Sequence, residues 1–294
     1  MKDKVALIGN GYWGSKLKKY IPYFFDMKYI ADSKFPLKKI WKDPEVKHVF
    51  IATPIDTHYK IAKKALLSGK NVFLEKPISR KAREAESLIR IAEERDLVLV
   101  VDYVLLFSRT LAKIMAFFRK KEINYIEMQS KHLGKYNGYS VYWLLSSHFL
   151  PIIGYLYGPL SNFRVIKEDL KYWGGVVTTG ILHLEHKKEK LVIKIFTSLD
   201  YPGKELSVNF YGTTHAYIFS PHNKDYSGKV VIYDHPFNKT GKELILMERK
   251  FHDDESNNLK YAIDHFYTYI LTNNKSFTTK LALDVTALLE RLDV

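Results

Sequence analysis

Val5-Ala6-Leu7-Ile8-Gly9-Asn10-Gly11-Tyr12-Trp13-Gly14 decides how the first half of the chain is read. A short apolar run ends in G-x-G-x-x-G and leads into a helical pattern. In a strand-turn-helix of this kind, the first glycine makes the tight turn, the second lets backbone approach a pyrophosphate, and the third lets helix and strand pack closely. The helix N-terminus then offers N–H groups to the phosphates. The next apolar run, Tyr29-Ile30-Ala31, closes on Asp32, at the distance expected of a carboxylate that holds a ribose. Gly9, Asn10, Gly11, Tyr12, Trp13, Gly14 and Asp32 are therefore expected to bind a dinucleotide.

Working outward, residues 5–102 alternate β-branched runs with helical patterns. Strands are expected at 5–8, 29–31, 49–51, 71–74 and 97–101, with helices near 13–25, 56–68 and 79–95 between them. Such alternation builds parallel βαβ units, with ligands outside the carboxyl ends of the strands. The link from Asp32 to Val49 has room only for a stub of helix near 36–41, so one unit is expected to be trimmed. After a helix at 108–120, strand-like runs at 125–132, 176–184, 191–197, 205–211, 216–219 and 229–233 are interrupted by one apolar helix over 141–156. Helices near 256–272 and 280–292 close the chain. The expected fold is an α/β Rossmann domain over 1–120, followed over 121–294 by an α+β domain with a large, mostly antiparallel open sheet. The last helices are free to pack back on the first domain.

Composition limits the alternatives. With 294 residues and 46% hydrophobic content, the chain can bury two ordinary cores. Cysteine is absent, which excludes disulfides, a thiolate nucleophile and a Cys-based zinc site. His183-Leu184-Glu185-His186 lies in a strand pattern, where alternate residues face opposite ways, so no metal site is expected there. The formal charge is +14, but the basic residues are spread in small groups such as Lys18-Lys19, Lys63-Lys64 and Lys187-Lys188. Spread charge fits steering of anionic small molecules better than a nucleic-acid surface. Met1-Lys2-Asp3-Lys4 runs directly into the first strand, and the most apolar stretch, 141–157, contains Ser146, Ser147, His148 and Pro151. A cytoplasmic protein without membrane or nucleic-acid partners is expected.

Further motifs extend this reading. Ile51-Ala52-Thr53-Pro54-Ile55-Asp56-Thr57-His58 and Gly69-Lys70-Asn71-Val72-Phe73-Leu74-Glu75-Lys76-Pro77 resemble the Gfo/Idh/MocA family of nicotinamide-dependent oxidoreductases. The resemblance implies NAD as cofactor, with NADP left open by Ser33-Lys34. It places Thr53-Pro54 beneath the nicotinamide half, His58 as a cofactor contact or a capping residue, and Glu75-Lys76-Pro77 as a peptide that is often cis. Lys76 would reach the nicotinamide ribose and the substrate hydroxyl. A lysine beside a cationic ring in a partly dry pocket loses its proton more readily, which makes Lys76 the acid/base candidate.

A second segment, Trp143-Leu144-Leu145-Ser146-Ser147-His148-Phe149, matches a family stretch that carries an aspartate and a histidine one helical turn apart, facing the substrate. The histidine is kept as His148, the second catalytic candidate, whereas Leu144 and Phe149 stand where the family has aspartates. Gly11-Tyr12-Trp13-Gly14, residues 101–108 and Leu133-Gly134 are similar to the branch acting on nucleotide-linked sugars. Asp102, Lys135, Tyr136 and Trp143 are candidate substrate contacts, Asp102 also as a stand-in carboxylate or a helix cap. The resemblance thus implies hydride transfer between nicotinamide and a carbinol of an anionic or nucleotide-linked sugar, by a homodimer or homotetramer paired through the C-terminal sheet. The alternative raised by Leu144 and Phe149 is a degenerate dinucleotide-binding member that senses or scaffolds.

Overall fold

The computed structural model describes residues 2–117, 122–134, 138–213, 215–222, 229–234, 245–250 and 257–293. The chain forms two compact units, Met1–Phe107 with Asn258–Leu292, and Ser108–Asn257.

In the first unit β1 (Lys4–Ile8), β2 (Asp26–Ala31), β3 (Val46–Ile51), β4 (Asn71–Glu75) and β5 (Leu99–Asp102) form a parallel sheet in the order β2-β1-β3-β4-β5. Side chains of a strand alternate between faces, and both faces here are apolar. Ala6, Ile8, Val49, Ile51, Val72, Leu74 and Val101 pack with α3 (Ile55–Leu67), α4 (Ala82–Glu94) and α9 (Phe277–Leu292). Val5, Leu7, Phe50, Phe73 and Val100 pack with α1 (Tyr12–Tyr20) and α8 (Asn258–Thr272). Phe266 of α8 sits 5.5 Å from Phe50 and 5.7 Å from Phe73, ring centre to ring centre.

The trimmed unit is present as expected: only the five-residue α2 (Lys38–Lys42) links β2 to β3. The late helices explain how such a sheet stays covered. Thr278 Oγ1 accepts a hydrogen bond from the Val101 amide at 3.0 Å, and Glu290 Oε2 accepts one from the Ala82 amide at 2.7 Å.

In the second unit eight strands follow the order β13-β12-β11-β10-β6-β9-β8-β7. They are β6 (Ile123–Leu133), β7 (Phe163–Trp173), β8 (Val176–His186), β9 (Val192–Ser198), β10 (Asp200–Gly212), β11 (His215–Phe219), β12 (Lys229–Asp234) and β13 (Ile245–Lys250). Every pair is antiparallel except β6 with β9. One face is buried through Ile126, Met128, Leu182, Leu184, Ile193, Ile195, Val208 and Phe210. Helix α5 (Arg109–Phe117) also belongs to this unit, so the chain crosses between units at Phe107, earlier than residue 120.

The apolar stretch 141–156 is not one helix. It breaks into α6 (Val141–Leu144), a 3-10 turn over Ser146–His148 and α7 (Leu150–Tyr157). Pro151 has no N–H for the carbonyl of Ser147, and its ring would clash with that carbonyl in a continuous helix.

Candidate active site

The three glycines of the first loop do separate jobs. Gly9 has φ +100°, and a Cβ there would lie 2.2 Å from the Ala52 carbonyl oxygen. A Cβ on Gly14 would lie 2.0 Å from the Gly9 carbonyl oxygen. Gly9 also donates from its amide to Ala31 O at 2.8 Å, as Ala52 does to Ile8 O. These contacts lock the carboxyl ends of β1, β2 and β3 together. Gly11 is different: a Cβ there would meet nothing within 4 Å. Close packing thus explains Gly9 and Gly14 but not Gly11, which faces open space next to the first turn of α1. Asn10, Tyr12 and Trp13 flank it, Asn10 and Tyr12 exposed and Trp13 half-buried. Lys16 Nζ sits over the Tyr12 and Trp13 rings at 4.3 and 4.5 Å from their centroids.

Asp32 is exposed just beyond β2. Its Oδ1 accepts from the Lys34 and Phe35 amides at 2.9 and 3.1 Å, so the turn that follows fixes the carboxylate in place. Thr53 and Pro54 lie beyond β3, where the Thr57 hydroxyl sits 2.7 Å from both Thr53 Oγ1 and the Pro54 carbonyl. The Lys76–Pro77 bond is cis.

His58 holds these strand ends together. It is 1% exposed, with Nδ1 at 2.8 Å from Pro77 O and Nε2 at 2.7 Å from Thr53 O. Burial pushes its pKa down against the pull of the two carbonyls. Both ring nitrogens face backbone carbonyls, and the neutral ring donates to one of them, so His58 sits behind the strand ends as a buried packing residue. Its position on the inner side of α3 puts it in the core.

Lys76 is half-buried at the end of β4. Burial pushes its pKa down to about 8 against the pull of Glu75 and Asp102. Those two carboxyls lie opposite each other in the β4–β5 register. Burial raises Glu75 well above the carboxylate range, with the Asp102 charge adding to it, and burial raises Asp102 to about 7. Glu75 and Asp102 each stood out singly in the sequence; their pairing did not. Both close apolar runs, but strand neighbours cannot be read from one chain.

In the second unit, Leu144 and His148 are the two positions of 141–153 that are not buried. The one-turn spacing therefore survives as shared exposure despite the broken helix. Trp143 is a core residue, 2% exposed, with its indole N–H bonded to Asp293 Oδ2 at 3.0 Å, and Phe149 is fully buried. Trp143 is thereby placed in packing, not at a substrate surface. Lys135 and Tyr136 lie outside the described residues.

Residues 17–103 match the family described as oxidoreductase family, NAD-binding Rossmann fold, Gfo/Idh/MocA. The match covers less than a third of the chain. A curated relative, UDP-N-acetylglucosamine 3-dehydrogenase of Acidithiobacillus ferrooxidans, is 40% identical over 60 residues, 20% of this chain and 19% of that protein. The chain aligns with only about a fifth of the length of such curated relatives.

Solved structures cover nearly all of it. The same enzyme from A. ferrooxidans superposes with TM-score 0.83 and 18% identity over 98% of this chain and 95% of that one. GenD2 of gentamicin A biosynthesis, in complex with NAD, gives 0.81 and 18% over 98% and 92%. At such identities these superpositions establish the fold of the Gfo/Idh/MocA dehydrogenases. Among the described residues no helix is long and apolar enough to cross a membrane.

Proposed function

We propose that this protein is an NAD(P)-dependent dehydrogenase of the Gfo/Idh/MocA family acting on a sugar carbinol, with NAD preferred and an anionic or nucleotide-linked sugar as substrate. The observation that carries the reading is Lys76, half-buried at the end of β4 and held near pH 8 by burial, in the row of strand ends that includes the Gly11 cradle. A lysine so poised exchanges protons near neutrality, as a general acid/base must.

The described residues suit a dinucleotide. Gly11 with the first turn of α1 would take the pyrophosphate, and Asp32 Oδ2 would reach ribose hydroxyls. Thr53-Pro54 and the Glu75-Lys76-Pro77 peptide would border the nicotinamide half. A nicotinamide dinucleotide, when bound, supplies the hydride acceptor or donor. Lys76 would take the hydroxyl proton in oxidation and return it in reduction. His148 is proposed to position the reacting hydroxyl.

The net charge of +14 supports an anionic substrate through steering. The relatives named above supply the nucleotide-sugar class as the first to test. Pairing of copies is proposed through the sheet face that carries the stacked Tyr125 and Tyr211 rings together with Ile181 and Phe196. A panel of nucleotide sugars and free sugars, assayed with NAD and NADP, tests the reading. Activity is expected with at least one member and is lost by a factor of about 10²–10⁴ in Lys76→Ala. Tight NAD binding without turnover of any member, or full activity in Lys76→Ala, overturns it.

A further inference from the structure

Glu75 and Asp102 end neighbouring parallel strands in matched register. Matched positions present their side chains to one face, and here both carboxyls are buried, at 6% and 2% exposure. They are hydrogen-bonded to one another. Two carboxylates are acceptors only, so a bond between them requires a shared proton. Their remaining oxygens, Glu75 Oε1 and Asp102 Oδ1, have no partner among the described residues. The Lys76 amide donates to the Glu75 carboxyl, and the Lys76 ammonium is attracted to both acids. A fold seeking only stability would fill this spot with apolar groups, since an unpaired carboxyl oxygen is costly to bury.

We propose that Glu75 and Asp102 form a proton-sharing carboxyl dyad that receives from Lys76 the proton taken off the substrate hydroxyl. This rests on the reading of Lys76 as the acid/base. In oxidation the neutral Lys76 amine accepts the O–H proton while the carbinol hydride passes to a nicotinamide dinucleotide, so the alcohol becomes a carbonyl. Lys76 ammonium then gives its proton to the Asp102 carboxylate, which restores the amine and leaves both acids neutral. One proton is released to water before the next turnover. Reduction runs the same path backwards.

Glu75 is the donor in the resting pair, because burial and then the Asp102 charge raise its carboxyl, and the bond between the two raises Glu75 while it lowers Asp102. Burial raises the Asp102 carboxyl and lowers the Lys76 ammonium, which brings their proton affinities toward each other. Titratable groups on the neighbouring elements are His58 of α3, which the Lys76 charge pushes down; Asp284 of α9, which acts on the Tyr103 phenol; and His265 of α8, in ring contact with Phe107 and Phe277.

Infrared difference spectra of the full chain, without substrate, read the dyad directly. A protonated-carboxyl C=O band is expected at pH 7, absent in Glu75→Gln and altered in Asp102→Asn. No such band at pH 7 overturns the dyad, whatever the enzyme does with sugars. With an active substrate in hand, Asp102→Asn is expected to lower kcat on the order of 10²-fold with little change in KM. The rising limb of kcat/KM against pH is expected to shift about one unit to lower pH, because Lys76 loses a charge that favours its ammonium. Asp102→Glu is expected to restore part of the rate. An unshifted limb and an unchanged kcat in Asp102→Asn overturn the relay. A band without any turnover leaves the dyad standing and sinks the dehydrogenase reading instead. Should Asp102→Asn fail to fold, the loss of the band in Glu75→Gln reads the dyad, and a lowered kcat in Asp102→Glu reads the relay, which an unchanged kcat there overturns.

Discussion

At the scale of single residues, the glycine loop separates packing from binding. Gly9→Ala must place a side chain against the Ala52 carbonyl at φ +100°, and it is expected to cost about 2–4 kcal/mol of stability in thermal or urea unfolding. Gly11→Ala is the opposite case. Its φ of −81° suits any residue and its Cβ meets no protein atom. Stability should change by less than about 1 kcal/mol, while NAD affinity by titration calorimetry should fall at least about tenfold.

Asp102 makes a second residue-scale prediction, with a sign. Its pKa is raised from 3.8 to about 7 by burial, so between those values the folded chain binds more protons than the unfolded one, and stability falls as pH rises. The cost is absent below about pH 4 and complete above about pH 7, with an upper figure on the order of 4 kcal/mol. Asp102→Asn should therefore raise the melting temperature at pH 8 more than at pH 5. An equal gain at both would mean that the carboxyl is ionised freely.

At the scale of elements, His58 is the clearest case of a motif residue with a structural duty. It sits between the Thr53 and Pro77 carbonyls, and as a neutral imidazole it donates to one of them, so His58→Ala leaves that carbonyl without its donor and opens a cavity. A loss of about 2–4 kcal/mol is expected, along with weaker NAD binding as the strand ends loosen. Elements with strong periodicity were legible: the parallel strands 5–8, 49–51 and 71–74 and helices α3 and α4 lie where apolar spacing puts them. The strands that spacing alone did not reveal, β7 and β13, are the two edges of the second sheet. In β7, Arg164, Lys167, Glu168 and Asp169 are the charges by which an edge strand avoids pairing with another chain, and such charges blur a strand's signature. The helix over 141–156 misled in the other direction, because apolar content concealed the break that Pro151 imposes.

At the scale of the whole molecule, chain order and spatial order part company. Residues 258–292 belong with the first unit, and α8 closes a face of the parallel sheet that a trimmed nucleotide-binding half would leave open. Periodicity finds such helices but cannot assign them a partner. The candidate site follows the same division. Gly9, Gly11, Gly14, Asp32 and Lys76 are local to strand ends and could be read from motifs, whereas Asp102 gains its meaning only from the register beside Glu75.

The charge of +14 acts at this scale too. With an anionic substrate, kcat/KM should fall as ionic strength rises from about 0.01 to 0.15 M, whereas a neutral sugar should show little change. The role of Lys76 as the acid/base of a nicotinamide-dependent oxidation shows in the pH dependence of kcat/KM for NAD reduction with an active sugar. The protein should gain activity as pH rises through about 8, where Lys76 loses its proton, and Lys76→Ala should abolish both the limb and the rate. A rate that is flat across that range, or a limb that persists in Lys76→Ala, would contradict the account.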